Sequence, residues 1–143
     1  ENLQYKILLY PLSRAELMES LQIDHVSGAY NQGGDLIAYC VLVANRPGDR
    51  NLAVDFGVAP EESITFDIVA VDPQWRGYGL QQRFIDWSME VANASGAKYI
   101  HATVNPDNIH SGQNFLKRGF AVKKTCTKYD GLTRNLLEFK VKS

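Results

Sequence analysis

Residues 64–81 read ITFDIVAVDPQWRGYGLQ. Its first part is apolar and rich in β-branched residues, which predicts a strand over 64–71. The pair Asp72-Pro73 ends that strand, because proline cannot donate to a sheet ladder. Apolar residues then recur with helical spacing over 80–95, and Gly96 is placed to end the helix. The stretch is therefore a strand, a turn and a helix.

The turn of this unit has the composition of an anion site. A helix N-terminus offers N–H groups that lack intrahelical partners, and it carries the positive end of the helix dipole. Gly77 and Gly79 let the backbone bend so that these groups converge on an anion. An ordinary tight turn has the same local pattern. A P-loop is excluded because the chain has no Gly-Lys pair, and the dinucleotide fingerprint is excluded because Gln82 stands where it needs glycine.

After this unit the sequence again predicts alternating strands and helices. The pattern predicts a strand over 99–104, a helix over 109–118, and strands over 120–129 and 134–141 around the turn Asp130-Gly131. The order strand, helix, strand, helix, strand, strand indicates an α/β sheet with an antiparallel finish.

The first half of the chain is predicted to feed the same sheet. Two strand-like runs, 26–31 and 36–45, flank a Gly-Gly turn and indicate a hairpin. Ser13 and Glu16 form a capping box that predicts a short helix. Residues 46–62 are rich in Gly and Pro, and their local signals leave strand and helix turn open.

Composition fits one globular domain over residues 1–143. The 15 basic and 16 acidic residues leave a net charge of -1, which favours neither a nucleic-acid nor a membrane partner. Cys40 and Cys126 have no metal or disulfide spacing, and no apolar run reaches transmembrane length. We therefore expect a cytoplasmic protein without a metal.

Two sequence blocks resemble those of the GNAT acetyltransferase family. The first, V-x-P-x-x-R-G-x-G, is formed by Val71, Pro73, Arg76, Gly77 and Gly79. The second has the spacing V-x-x-x-N-x-x-A-x-x-x-Y-x-x-x-G-F and is formed by Val104, Asn108, Ser111, Phe115, Gly119 and Phe120. Both blocks in this order, separated by one helix and one strand, make the resemblance specific over residues 64–120.

The resemblance implies a GNAT fold, which is a mixed central sheet with a V-shaped strand split, flanked by helices. The parting strands here are 64–71 and 99–104. It also implies acetyl-CoA as cosubstrate, with its pantetheine arm paired to the backbone of Val69 and Val71. Asn108 is implied to contact the arm or to cap the next helix. The resemblance further implies that Ser111 and Phe115 belong to the cofactor site. It also implies that the diphosphate is bound by the backbone amides of Arg76, Gly77, Tyr78, Gly79, Leu80 and Gln81.

Two positions depart from the family pattern. Gln81 stands where the first block ends in Gly or Ala, so we expect its side chain to lean outward or to touch phosphate. Phe115 stands where many members carry a tyrosine general acid, and a phenyl ring has no proton to give. Tyr129 is the alternative acid, although packing at the sheet edge explains a tyrosine there equally well.

Asp67 is the candidate base because it interrupts an otherwise apolar strand. A buried carboxylate must have a hydrogen-bond or ionic partner, have a raised pKa, or face a cleft. Relatives often carry a base four residues before the position of Val71. The structural alternative is an ion pair with a lysine or arginine, and Asp55 is the second candidate base.

The remaining ring side chains are interpreted as structural. His25, His101 and His110 lack metal-ligand spacing. His101 is expected to be a satisfied buried histidine and His110 a surface residue. Trp75 is expected to pack the turn, with stacking on adenine as the alternative.

Two functions are compatible with these residues. The first is direct transfer of acetyl from acetyl-CoA to a primary amine of a small molecule, an amino acid or a protein N-terminus. The second is an acyl-CoA-binding sensor or scaffold with little turnover, which the missing acid at Phe115 favours. A homodimer is left open.

Overall fold

A computed structural model describes residues 24–127 and 131–142. The described residues form a six-stranded sheet in the order β1-β2-β3-β4-β6-β5. The strands are β1 (His25–Tyr30), β2 (Leu36–Val43), β3 (Ser63–Val71), β4 (Tyr99–Val104), β5 (Ala121–Thr127) and β6 (Thr133–Lys140). The helices are α1 (Ala53–Phe56), α2 (Leu80–Ser95) and α3 (Ile109–Lys117), with 3₁₀ turns at Pro60–Glu62 and Pro73–Trp75.

The described elements confirm the predicted hairpin and the strand-helix-strand-helix series. β3 pairs with β4 in parallel, and all other neighbouring strands in the described sheet are antiparallel. The last strand, β6, lies between β4 and β5, an order that local patterns do not contain. The capping box at Ser13 and Glu16 lies outside the described residues.

The undecided segment 46–62 contains one helical turn, α1, and the 3₁₀ turn before β3. Its loop is organised by Asn51, whose side chain is 4% exposed. The amide of Asn51 donates at 3.1–3.2 Å to three carbonyls, those of Arg46, Pro60 and Ser63. A side chain that bonds distant backbone groups leaves no local sequence signal, which explains why the segment could not be assigned.

β3 and β4 separate soon after they begin. Their ladder joins Ser63, Ile64 and Thr65 to residues 99–101, whereas β3 runs on to Val71. β3 is buried at its start and half-buried at its last three residues. The sheet therefore opens into the V-shaped split that the resemblance implies.

The main core lies between the sheet and the faces of α2 and α3. Alternate residues of β2, namely Ala38, Cys40 and Leu42, point to this face together with Phe84 and Ile85 of α2. The opposite face of the sheet carries a smaller cluster of Tyr39, Val41 and Ile68. None of the helices in residues 24–127 and 131–142 is long and apolar enough to cross a bilayer.

His101 is a satisfied buried histidine, as predicted. Its side chain is fully buried, with Nδ1 2.6 Å from the Ser63 hydroxyl and Nε2 2.9 Å from the Glu138 carboxylate. The ring also stacks on Phe56, with centroids 3.8 Å apart. This pattern suits a neutral ring that accepts from Ser63 and donates to Glu138. Burial lowers the pKa of His101, although Glu138 acts in the opposite direction.

We expect the free energy of unfolding to fall as the pH is lowered below about 6.5. The pKa of His101 is lower in the folded chain than in the unfolded chain, so the unfolded state binds more protons. One proton accounts for a slope of at most about 1.4 kcal/mol per pH unit, from about pH 6.5 down to the folded pKa. Urea denaturation at a series of pH values measures this slope. His101→Gln should lose that part of the slope and His110→Gln, on an exposed residue, should keep it; equal slopes would contradict the assignment.

Candidate active site

The turn between β3 and α2 is built by short-range contacts. Asp72 is 6% exposed, and its carboxylate accepts the backbone N–H of Gln74 at 2.9 Å. This bond starts the 3₁₀ turn Pro73–Trp75, where proline supplies the required φ. Gly77 and Gly79 follow with φ of 86° and 75°, in the left-handed region that residues with a Cβ avoid. The two glycines therefore let the chain bend into α2.

The first turn of α2 has the geometry of an anion site. Gly79 is the N-cap residue, and no side chain caps the helix. A Cβ added to Gly77 or Gly79 would meet no atom within 4 Å, so the space beside the turn is open. α2 has 16 residues, and its positive dipole end favours negative charge at this point.

β3 turns the backbone of Val69 and Val71 toward the split. The N–H of Asp72 donates to the carbonyl of Ile37 on β2 at 2.8 Å. Because backbone groups alternate in direction along a strand, those of Val69 and Val71 point away from β2. The ladder with β4 covers only residues 63–65 of β3, so these groups face the gap. They can pair with an extended arm as a neighbouring strand would.

A cavity of about 720 Å³ occupies the split and reaches the start of α2. This volume is within the range of roughly 300–1,000 Å³ that is usual for small-molecule sites. The cavity is lined by Phe66, Asp67, Ile68, Val69, Val71, Trp75, Arg76, Gly77, Gly79, Leu80, Gln81, Gln82, Thr103, Asn108, His110, Ser111, Asn114 and Phe115. The structure thus brings most of the predicted site residues to one place.

A family model described as "Acetyltransferase (GNAT) family" matches residues 5–120. The chain belongs to the GNAT acetyltransferase family. The predicted family, fold class and enzyme class are confirmed, and the family's activity is acetyl transfer that depends on acetyl-CoA. A search of curated proteins found no significant match.

Several solved structures share the GNAT fold of this chain. Salmonella typhimurium yncA, solved with its cofactor acetyl-CoA, has a TM-score of 0.70 and 17% identity, over 90% of this chain and 72% of that one. The ribosomal-protein-S18-alanine N-acetyltransferase of Escherichia coli has a TM-score of 0.71 and 14% identity, over 94% and 81%. Nourseothricin acetyltransferase has a TM-score of 0.65 and 19% identity, over 84% of this chain and 66% of its own length. At these identities the likeness shows the fold.

Asp67 lies in the GNAT split on a β-bulge of β3. Val41 pairs with Ile68 and Leu42 with Phe66, which leaves Asp67 as the extra residue. A bulge redirects the side chain that it carries, and Asp67 lines the cavity. The second candidate base, Asp55, lies on α1 and is not among the lining residues.

Asp67 is also ion-paired. Arg50 donates Nη1 to Asp67 and Nη2 to Asp24 at 2.6 Å, and the side chain of Asp24 is fully buried. Burial acts to lower the pKa of Arg50, but the hydrogen bonds to Asp24 and Asp67 outweigh it, so the pKa is raised. Burial, followed by the charge of Asp67, raises the pKa values of Tyr39 and Cys40. Asp67 therefore has the arginine partner of the structural alternative and also lines the cavity, and its role as the base stays a prediction.

The second block forms the other wall of the cavity through α3. Asn108 caps this helix, because its side-chain oxygen accepts the N–H of Ser111 at 3.1 Å. Of the two roles implied for Asn108, the structure shows the cap. Phe115 is 3% exposed and lies edge-to-face with Phe66 and Phe120, with centroids 5.2 and 5.0 Å apart. The ring that replaces the family's tyrosine is thus a core residue at the cavity wall.

The side chain of Gln81 lies in a different place from the one predicted. Its side chain was predicted to lean outward or to touch phosphate, but its amide bonds across to α3. The physical reason is that α3 presents polar partners, Ser111 and Asn114, at the height of the first turn of α2. Tyr78 keeps its place in the backbone turn, but its side chain is 67% exposed and is not among the lining residues.

Several lining residues were missed or undervalued from sequence. Trp75 and His110 were interpreted as structural or surface residues, although both line the cavity. Trp75 also packs the turn as predicted, with its ring 5.3 Å from that of Tyr78. Asn114 was not considered, although its position one turn after Ser111 places it on the same face of α3. The alternative acid, Tyr129, lies outside the described residues. No group of metal-binding side chains occurs within residues 24–127 and 131–142.

Proposed function

We propose that acetyl-CoA lies in this cavity and that its acetyl group passes directly to a primary amine in a ternary complex. The diphosphate is held by the backbone amides of residues 76–81, and the pantetheine arm runs along Val69 and Val71. One observation carries the proposal: β3 parts from β4 and turns its backbone into a gap that leads to the glycine-rich start of α2.

The reaction forms a C–N bond and breaks a C–S bond. The amine nitrogen attacks the thioester carbonyl carbon, the thiolate of CoA leaves, and the nitrogen gives up one proton. An alkylammonium with a pKa near ~10.4 has no lone pair at neutral pH, so a group that takes the proton promotes the attack.

Asp67 is the proposed proton acceptor. It is the carboxylate among the lining residues, and the bulge of β3 aims it into the split. Its ion pair with Arg50 holds the carboxylate in position, so it is placed to hold the incoming ammonium and to receive its proton, directly or through water. Arg50 is in turn balanced by the buried Asp24, which limits the repulsion that a lone arginine would exert on a cationic substrate.

The departure of the thiolate requires less assistance from a catalytic group than the attack of the amine does. A thiol with a pKa near ~8.5 is a tolerable leaving group, and a general acid typically adds about 10²–10⁴-fold. Phe115 cannot supply a proton. We propose Tyr129 as the alternative acid.

The acceptor is proposed as a class. A small amine, an amino acid or a protein N-terminus each supplies the primary amine that the chemistry requires. We also propose a cytoplasmic setting, because Cys40 and Cys126 are both free, as is usual in a reducing compartment.

A second function is favoured by two observations. Phe115 is a packed phenyl ring at the position of the family's acid, and Asp67 is restrained by Arg50. Both features suit a domain that binds acyl-CoA as a sensor or scaffold with little turnover.

Calorimetry and a thiol-release assay test the two functions together. We expect titration with CoA to give heat at one site per chain, and acetyl-CoA to release free thiol only when a suitable amine is present. The panel should contain small diamines, amino acids and short peptides with free N-termini. Heat without thiol release across the panel would favour the sensor. Absence of heat would sink the proposal.

A further inference from the structure

The first turn of α2 is tied to α3 by a chain of side-chain amides. Gln81 donates to the Ser111 hydroxyl at 2.7 Å and accepts from the Asn114 amide at 2.8 Å. Gln82 donates to the carbonyl oxygen of the same Asn114 side chain at 2.9 Å. We refer to Gln81, Gln82, Ser111 and Asn114 as the amide bracket.

Asn114 is the centre of the bracket. It is 4% exposed, and both ends of its amide are used, one by each glutamine. Removing one partner from such a buried pair leaves a polar group unsatisfied, which is costly. The bracket therefore favours one spacing between the two helices.

The position of the bracket connects it to the cofactor site. Gln81 and Gln82 both lie in the first turn of α2, and the backbone amide of Gln81 is one of those proposed to hold the diphosphate. Ser111 and Asn114 line the opposite wall of the same cavity. An amide array binds an anion well only when its N–H groups already point at one place.

We propose that Asn114 is a positioning residue for CoA, which holds the first turn of α2 at the orientation that its diphosphate requires. The inference rests on the proposed function. Asn114 acts on the first turn of α2 through its hydrogen bonds to Gln81 and Gln82.

The same two helices offer a matched control. Arg118, just after α3, contacts Asp86 on α2 at 2.8 and 3.2 Å. Asp86 is not among the residues that line the cavity. Arg118 also donates to the side-chain oxygen of Gln82 at 3.4 Å, but Asp86 takes no part in the three hydrogen bonds that define the bracket. Asp86→Asn therefore weakens the contact between the two helices and leaves those three bonds in place, and it should leave CoA affinity unchanged.

The test compares two probes on the intact chain by calorimetry. We expect Asn114→Leu to weaken the binding of CoA by about tenfold, which corresponds to about 1.4 kcal/mol. The loss should be the same for 3′-phosphoadenosine 5′-diphosphate, which has the diphosphate and lacks the pantetheine arm. A loss confined to CoA would mean that Asn114 contacts the arm, and it would overturn the positioning role.

A second variant covers the case in which Asn114→Leu does not fold. Gln81→Met keeps the length of the side chain and removes its amide, and it should weaken both probes to a similar degree. In the double variant the losses should be less than additive, because both changes break one network. Unchanged affinity in Gln81→Met, or fully additive losses, would overturn the inference. If the wild-type chain binds no CoA, the proposed function fails instead.

Discussion

Asp67→Asn is expected to lower kcat by about 10²–10⁴-fold, which is the usual contribution of a general base. The change keeps the shape of the side chain and removes the negative charge at the bulge of β3. Arg50 retains Asp24 as an ionic partner, so the loop that carries it should stay in place. The dissociation constant for CoA should change little, because the proposed cofactor contacts lie in the turn and along the strand backbone.

Steady-state kinetics over a pH series, on an amine found in the panel, measures this effect. A general base gives the wild-type rate profile an acidic limb, and the variant should lack that limb. Asp55→Asn is the matched comparison, since Asp55 was the second candidate base and is not among the residues lining the cavity. It should leave kcat unchanged. A large loss in Asp55→Asn, or an unaltered pH profile in Asp67→Asn, would remove the base assignment.

Gly79→Val is expected to weaken the binding of CoA by about 100-fold, which corresponds to about 2.8 kcal/mol. Gly79 has a φ of 75°, which a β-branched residue strongly disfavours. The turn must therefore move, and its N–H groups then no longer converge. The new side chain would also stand in the open space beside the turn, where the diphosphate is proposed to lie.

The same helix supplies the control for this variant. Gly96 ends α2 with a φ of 76°, and a Cβ there would also meet no atom within 4 Å. Gly96→Val should therefore cost a similar free energy of unfolding, about 1–2 kcal/mol, and leave CoA affinity unchanged. Equal CoA affinity in the two variants, by calorimetry, would show that the start of α2 is not the diphosphate site.

Local patterns predicted the second half of the fold well. Helix α2 and strand β4 have the predicted bounds, and Gly96 ends α2 in the left-handed conformation expected of a C-terminal glycine. These elements depend on side-chain periodicity and on the backbone freedom of glycine, and both can be recognised from neighbouring residues in the sequence. Residues 46–62 resisted prediction because their shape depends on Asn51, which bonds carbonyls as far away as β3.

In the candidate site, too, the sequence identified individual residues but not their partners. Sequence singled out Asp67 as an anomalous charge, yet its partner Arg50 is 17 positions away and is brought near only when the loop folds over the sheet. Gln81 was noticed as a departure from the family pattern. Its partner Asn114 lies 33 positions along the chain and reaches it only because α2 and α3 pack side by side.

The strand-turn-helix unit and the two glycines of its turn could be predicted because they depend on residues adjacent along the chain. The family resemblance could be predicted because it depends on two short blocks of such residues. Only the folded chain shows where β3 leaves β4, which arginine pairs with Asp67 and which amides join α2 to α3. These depend on distances between segments remote in sequence, and such distances are set by how the helices pack on a twisted sheet.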